Sequence, residues 1–182
     1  MRTTTWKTAA TATATVLAAT LGGGIAQAAS PGSGTGTGTG SGAASERASA
    51  PSSCRPANHL ARITPDDSSA GHSHYRVTLT AAPGYEPCVL AGSPVDVEFS
   101  EDGEPNGIAV GAYGPQDTPV VFGPGHPVHF DIQVPNYLPG VPADEATFTL
   151  SAPGGQIPGE SGATGPLRVA EGTVVGPVMP GA

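Results

Sequence analysis

The chain has 182 residues, a formal charge of −8, 27 glycines, 20 prolines and only 5% aromatic residues. Its few arginines are scattered, which excludes a nucleic-acid or anionic-membrane surface, because both need clustered cations. Glycine and proline recur too often for an amphipathic helix of ordinary length.

Residues Met1 to Ala28 read as a secretory signal peptide. Arg2 and Lys7 form a short basic start, the Ala-rich run TAATATATVLAATLGGGIA follows, and Ala26-Gln27-Ala28 fits a small-x-small cleavage site. A membrane-spanning helix needs about 20 strongly apolar residues, and the threonines and glycines dilute this run. Cleavage removes Arg2 and Lys7, takes the charge from −8 to −10 and leaves no lysine; the remaining cations are Arg47, Arg55, Arg62, Arg76 and Arg168. That acidity fits solubility outside the cell. Residues 29–53 read as a linker, SPGSGTGTGTGSGAASERASAPSS from Ser30, with too little apolar mass to offset the entropy of ordering. Its GTGTGTG run lacks both the Lys-Ser/Thr of a phosphate loop and a preceding strand.

From Cys54 the pattern changes. Apolar residues alternate at Tyr75, Val77 and Leu79, at Val95, Val97 and Phe99, at Val128, Phe130, Ile132 and Val134, and at Phe148 and Leu150. A period of two puts each set on one face of a strand. Turn signals separate the runs: SSAGH, APGYEP, EDGEPNG, GPGHP and APGG. The expected fold is all-β, an antiparallel sandwich or barrel over residues 54–180. EDGEPNG and QIPGESGATG read as its long polar loops. Phe99, Phe122, Phe130 and Phe148 fall on core positions. Tyr85, Tyr113 and Tyr137 lie in or beside turns and would form a carbohydrate platform only if they shared a face.

Two cysteines in an exported chain are expected to oxidise together. A Cys54–Cys88 bridge would pin the first strand where the linker joins it, and the chain-entropy model gives it roughly 3–4 kcal/mol. Neither a CxxC pair nor a Cys/His cluster suggests a reactive thiol. The histidines could carry chemistry. His72 and His74 share a strand face, His126 and His129 flank the GPGHP turn, and His59 stands alone. A zinc or copper site from His72, His74 and His126 requires two separate turns to meet. No Gly-x-Ser-x-Gly elbow or HExxH motif is present, so no catalytic residue and no cofactor is expected.

The stretch from Cys54 resembles domain-of-unknown-function family 4232. The resemblance rests on Cys88-Val89-Leu90-Ala91-Gly92-Ser93-Pro94, a Cys-x-Leu-x-Gly-x-Pro element, on a strand of the type HYRVTLTA, and on Gly123-Pro124-Gly125 before PVHFDIQV. It covers roughly residues 54–178. It implies an immunoglobulin-like β-sandwich in a secreted, actinobacterial protein, and brings no catalytic residues. Two departures stand out: the later half lacks the second cysteine pair of many relatives, and Ala82-Pro83-Gly84 replaces their Asn-x-Gly. The only tryptophan, Trp6, is in the leader, so the core Trp of an antibody-type domain is missing. The function expected is that of a secreted, non-catalytic binding or interaction module, with an extracellular protein or cell-wall component as partner. The alternative is a histidine-based metal- or substrate-handling protein.

Overall fold

The structure is a computed structural model and describes residues 51–182. The leader expected over 1–28 and nearly all of the linker expected over 29–53 lie outside those residues. A short 3-10 turn (Pro56–Asn58) comes first. The strands then follow: β1 (His59–Ser69), β2 (His72–Ala81), β3 (Cys88–Ala91), β4 (Val95–Glu101), β5 (Glu104–Pro105), β6 (Gly111–Ala112), β7 (Pro119–Phe122), β8 (Val128–Pro135), β9 (Val141–Thr149), β10 (Ser151–Ala152), β11 (Gly155–Gln156), β12 (Ser161–Val169), β13 (Val174–Val175) and β14 (Met179–Pro180).

The all-β expectation holds. Ten strands join in one sheet in the order β5-β4-β9-β12-β1-β2-β8-β13-β6, with β14 also on β8. The resemblance implied two antiparallel sheets of immunoglobulin type. Here hydrogen bonding runs continuously through one mixed sheet, and β1–β12 and β13–β6 are parallel. The sheet curls on itself. Phe130 in β8 and Phe148 in β9 lie four strand spacings apart in the sheet, about 19 Å if it were flat, yet their rings meet edge to face at 5.1 Å. β4, beyond the reach of the short β5, and β6 at the other end of the sheet share a cleft of about 170 Å³ between Val95–Val97 and Val110–Ala112. Two small ribbons, β3–β7 and β10–β11, lie off the main sheet.

The alternation read from sequence builds the core. Val77 and Leu79 of β2 face Val128, Phe130 and Ile132 of β8, and all are fully buried. Phe99, Phe122, Phe130 and Phe148 are all inside. The even-numbered residues of β2, including His74, Arg76 and Thr78, point the other way, as the pleat requires. There Arg76 pairs with Asp66 at 2.8 Å and approaches Asp131 at 3.9 Å. The N–H of Asp67 and then Arg76 hold the Asp66 carboxyl below its ordinary range.

Two stretches read as long loops are otherwise. In EDGEPNG, Asp102 and Gly103 both have positive φ (51° and 80°), and Glu101 pairs with Glu104. That is a tight two-residue hairpin, the conformation that Asp-Gly favours. In QIPGESGATG, the segment from Ser161 onward is β12, paired on both sides, with β1 and with β9. Its small residues mark close strand packing: Ala163 is fully buried, and a Cβ on Gly165 (φ 154°) would lie 2.2 Å from the Ile63 carbonyl oxygen. The linker boundary also shifts. Ser52 and Ser53 belong to the folded unit, because the Ser53 N–H donates to the Glu86 carbonyl at 2.8 Å and the Glu86 N–H to Pro51 at 3.0 Å.

Candidate functional site

Cys54 and Cys88 are bridged, with Cα atoms 6.0 Å apart and a sequence separation of 34. The bridge joins the segment ahead of the 3-10 turn to the first residue of β3. Around it lies a broad, open concavity. An apolar cleft of about 650 Å³ is walled by Cys54, Cys88, Val89, Ile157, Pro158 and Pro56. Its volume lies in the range typical of ligand sites. Arg55 is the one charged residue on its wall, and among the described residues it makes no ion pair. Across the 3-10 turn, a second cleft of about 360 Å³ holds His59, Leu60, Pro83 and Tyr85. Leu60 is 80% exposed, and Val89 and Val121, which pair across β3–β7, are 42% and 54% exposed. Three of the six exposed large apolar side chains among the described residues thus gather at this end, and the other three lie in the Tyr137–Val141 turn.

The motif residues hold this end rigid. Leu90 is fully buried. Gly92 has φ 77°, and a Cβ there would meet the Gln116 carbonyl oxygen at 2.7 Å. The Ser93 N–H donates to Gln116 Oε1 at 2.7 Å, and Ser93 Oγ donates to the Val175 carbonyl at 3.2 Å. Gln116 Nε2 donates in turn to Ser93 Oγ and to the Tyr113 and Gly114 carbonyls. The Cys-x-Leu-x-Gly-x-Pro element is therefore a folding device. Its only side chain turned to solvent is Val89.

One pair has the look of chemistry and is not signalled by any sequence motif. His59 Nδ1 lies 2.9 Å from the Ser53 carbonyl, an acceptor, so Nδ1 carries the proton. Nε2 then accepts from Ser161 Oγ at 3.1 Å. A serine, an imidazole and an orienting oxygen in line resemble a nucleophile–base pair. Its setting is different: Ser161 is 3% exposed, and the His59 ring packs edge-on against Phe122 at 5.5 Å. Neither of the two clefts at this end has Ser161 on its wall. The pair clasps the start of β1 to the start of β12. Burial pushes the His59 pKa below its ordinary 6.5, against the opposing pull of the Ser53 and Arg55 backbone.

The sign of its effect on stability follows. The folded state holds His59 neutral and the unfolded state takes up a proton near 6.5, so stability is constant above that pH and falls as pH drops below it. Urea midpoints are expected to decline from pH 7.5 to 5, and His59→Gln should flatten that decline. An equally steep profile in the variant would assign the effect to other groups.

The other histidines stay apart. His72 pairs with Pro135 and His74 with Gln133 at one end of β8, while His129 pairs with Thr78 and Met179 near the other. His126 lies in the turn before β8, farther still. His74 Nε2 bonds Ser69 Oγ at 2.8 Å, and His129 Nδ1 bonds the Gly181 carbonyl at 3.1 Å. The alternative site from His72, His74 and His126 does not assemble, because the β2–β8 register sets the first two at the opposite end of β8 from the turn that holds His126. No group of three His, Cys, Asp or Glu among the described residues is placed to hold a metal ion. The tyrosines also disperse: Tyr85 lines the cleft by His59, Tyr113 lies near Gln133 and Asp131, and Tyr137 lies beyond Pro135 at the far end.

The fold and this braced, apolar end define a small, disulfide-linked, all-β domain. Residues 54–178 match the family described as Domain of unknown function (DUF4232), and the chain belongs to that family. No curated protein and no solved structure matches the chain.

Proposed function

We propose that this protein is a secreted, non-catalytic binding module whose ligand, an extracellular protein or a cell-wall component, seats at the disulfide end. The observation that carries the reading is the apolar cleft of about 650 Å³ on a braced frame. Such a concavity, with few polar groups on its wall, is the usual form of a ligand site. The leader-like N-terminus and the disulfide support export. No helix among the described residues is long and apolar enough to cross a membrane.

The test has two arms. Purified protein is passed over cell-wall polymers and over a secreted-protein fraction, beside a Val89→Asp variant that charges the cleft. Retention by the parent and loss by the variant are expected. Equal retention of both moves the site elsewhere, and no retention of either removes the binding reading. In the second arm a fluorophosphonate is offered to the folded protein. No covalent label is expected, because Ser161 Oγ is closed off; labelling at Ser161 would make the His59–Ser161 pair a working nucleophile and overturn the non-catalytic reading.

A further inference from the structure

The 3-10 turn Pro56–Asn58 is the ridge between the two clefts. Pro56 stands on the wall of the larger, Asn58 on the wall of the smaller, and Ala57 on both. No residue of the turn is buried. Its own hydrogen bonds run within one segment: Asn58 donates from its backbone N–H to the Arg55 carbonyl at 2.9 Å and from Nδ2 to the Ser52 carbonyl at 2.7 Å. The ridge is fastened at its two ends. Ahead of it, Cys54 is bonded to Cys88 of β3. Behind it, the buried His59 side chain reaches the Ser53 carbonyl, Ser161 Oγ of β12 and the ring of Phe122 in β7. The first fastening is covalent. The second requires a neutral imidazole.

A second proton on His59 has no place in this arrangement. Nδ1 already donates to Ser53, so the proton goes to Nε2, and the Ser161 hydroxyl then loses the one acceptor it has among the described residues. The charged or titratable residues of the surrounding segments are Arg55 before the ridge, Arg62 in β1 itself, Tyr85 and Glu86 after β2, and Glu160 ahead of β12. β7 brings none, nor does Ala81 opposite His59. Glu86 and Glu160 are exposed, and among the described residues no carboxylate pairs with the imidazole. A charge on the ring would be buried without an anion, and burial opposes it. The relief open to such a group is to move into water.

We propose that His59 is the catch of an acid-released ridge: once protonated, the imidazole leaves its seat, the turn Pro56–Asn58 lifts with it, and the two clefts run together while the sheet stays folded. The lift is local because both anchors hold. One is the Cys54–Cys88 bridge, and the other is the β1–β2 pairing from Leu60 and Thr80 onward. It is reversible because no covalent bond breaks. The latch is a property of the chain alone. Its use, the release in acid surroundings of what the larger cleft holds, rests on the binding reading above and adds regulation to it, since Arg55, Pro56 and Ala57 are part of that cleft's wall.

Hydrogen exchange of the full chain, corrected for intrinsic rates, is followed at the Asn58 amide and at the amides of β2 and β8, at pH 7.5 and pH 5 and over low urea concentrations. The Asn58 opening should grow by up to about thirtyfold at pH 5, the gain from proton uptake by a group of pKa about 6.5. It should depend little on urea, because a local opening exposes little surface. In His59→Gln, neutral at both pH values, the gain should vanish. No gain in the parent, or exchange at pH 5 with the same rate and urea dependence as β2 and β8, refutes the latch; this comparison needs no variant and stands even if His59→Gln does not fold. An equal gain in His59→Gln refutes His59 as the catch. For the gate, protein retained at pH 7.5 on cell-wall polymers or on the secreted fraction should come off at pH 5, and His59→Gln should stay bound. Release of both, or of neither, refutes the gate. If Asn58 behaves as expected and nothing is ever retained, the latch stands and the binding reading falls.

Discussion

Replacing Cys54 and Cys88 together by alanine is expected to remove about 3–4 kcal/mol of stability and to lower Tm by roughly 10–15 °C. Dithiothreitol on the parent chain should produce the same shift. The loop the bridge closes spans 34 positions, and the entropy regained by the unfolded chain on opening it sets the size of the effect. The folded state should survive the loss in outline, because the Ser53–Glu86 and Glu86–Pro51 hydrogen bonds hold the same two segments together. Cys54 and Cys88 both line the cleft, so its ligand affinity should fall more than the core stability does. Circular dichroism melts with and without reductant decide the matter. An unchanged Tm would mean that the bridge stabilises nothing.

Gly165→Ala is expected to cost about 3–5 kcal/mol, in the range reserved for direct backbone collision and strain. The added carbon would sit 2.2 Å from the carbonyl oxygen and 2.9 Å from the carbonyl carbon of Ile63, at φ 154°. Neither atom is a flexible side-chain end, so β1 and β12 would have to separate where Arg62 meets Thr164. Gly154→Ala, in the β10–β11 turn with nothing within 4 Å, serves as the control and should stay within about 0.5 kcal/mol of the parent. Urea unfolding of both variants provides the comparison. A Gly165 variant as stable as the Gly154 one would mean that the parallel joint is looser than described.

Strands β2 and β8 and their core residues were legible because Val77, Leu79, Val128, Phe130 and Ile132 alternate cleanly, and period-two alternation has one physical reading. β12 was hidden for the opposite reason. Its Gly162, Ala163 and Gly165 look like turn residues, and only the strands pressing on both sides explain them. The single curled sheet was equally out of reach, since strand order depends on pairings between distant segments and not on local pattern. At the site, the cysteine pair followed from cysteine count and compartment. The cleft did not, because its walls come from three separated stretches near residues 54–57, 88–89 and 152–158. His59 and Ser161 lie 102 positions apart, with no motif to join them. The metal site conceived from the histidines failed on register alone.

The parallel joint between β1 and β12 also bears on how the chain reaches this structure. Partners so far apart in sequence must wait for nearly the whole domain to be available before they meet, and contacts of that kind slow folding. The thiols of Cys54 and Cys88 are separated by a third of that distance. They can meet while the later strands are still unplaced. Oxidation would then secure the start of β1 beside β3 early, with the inner edge of β1 left open until β12 arrives. During that interval the open edge is the part of the molecule most exposed to pairing with a neighbouring chain. The folding yield of this protein should therefore depend on its concentration more steeply than its final stability suggests.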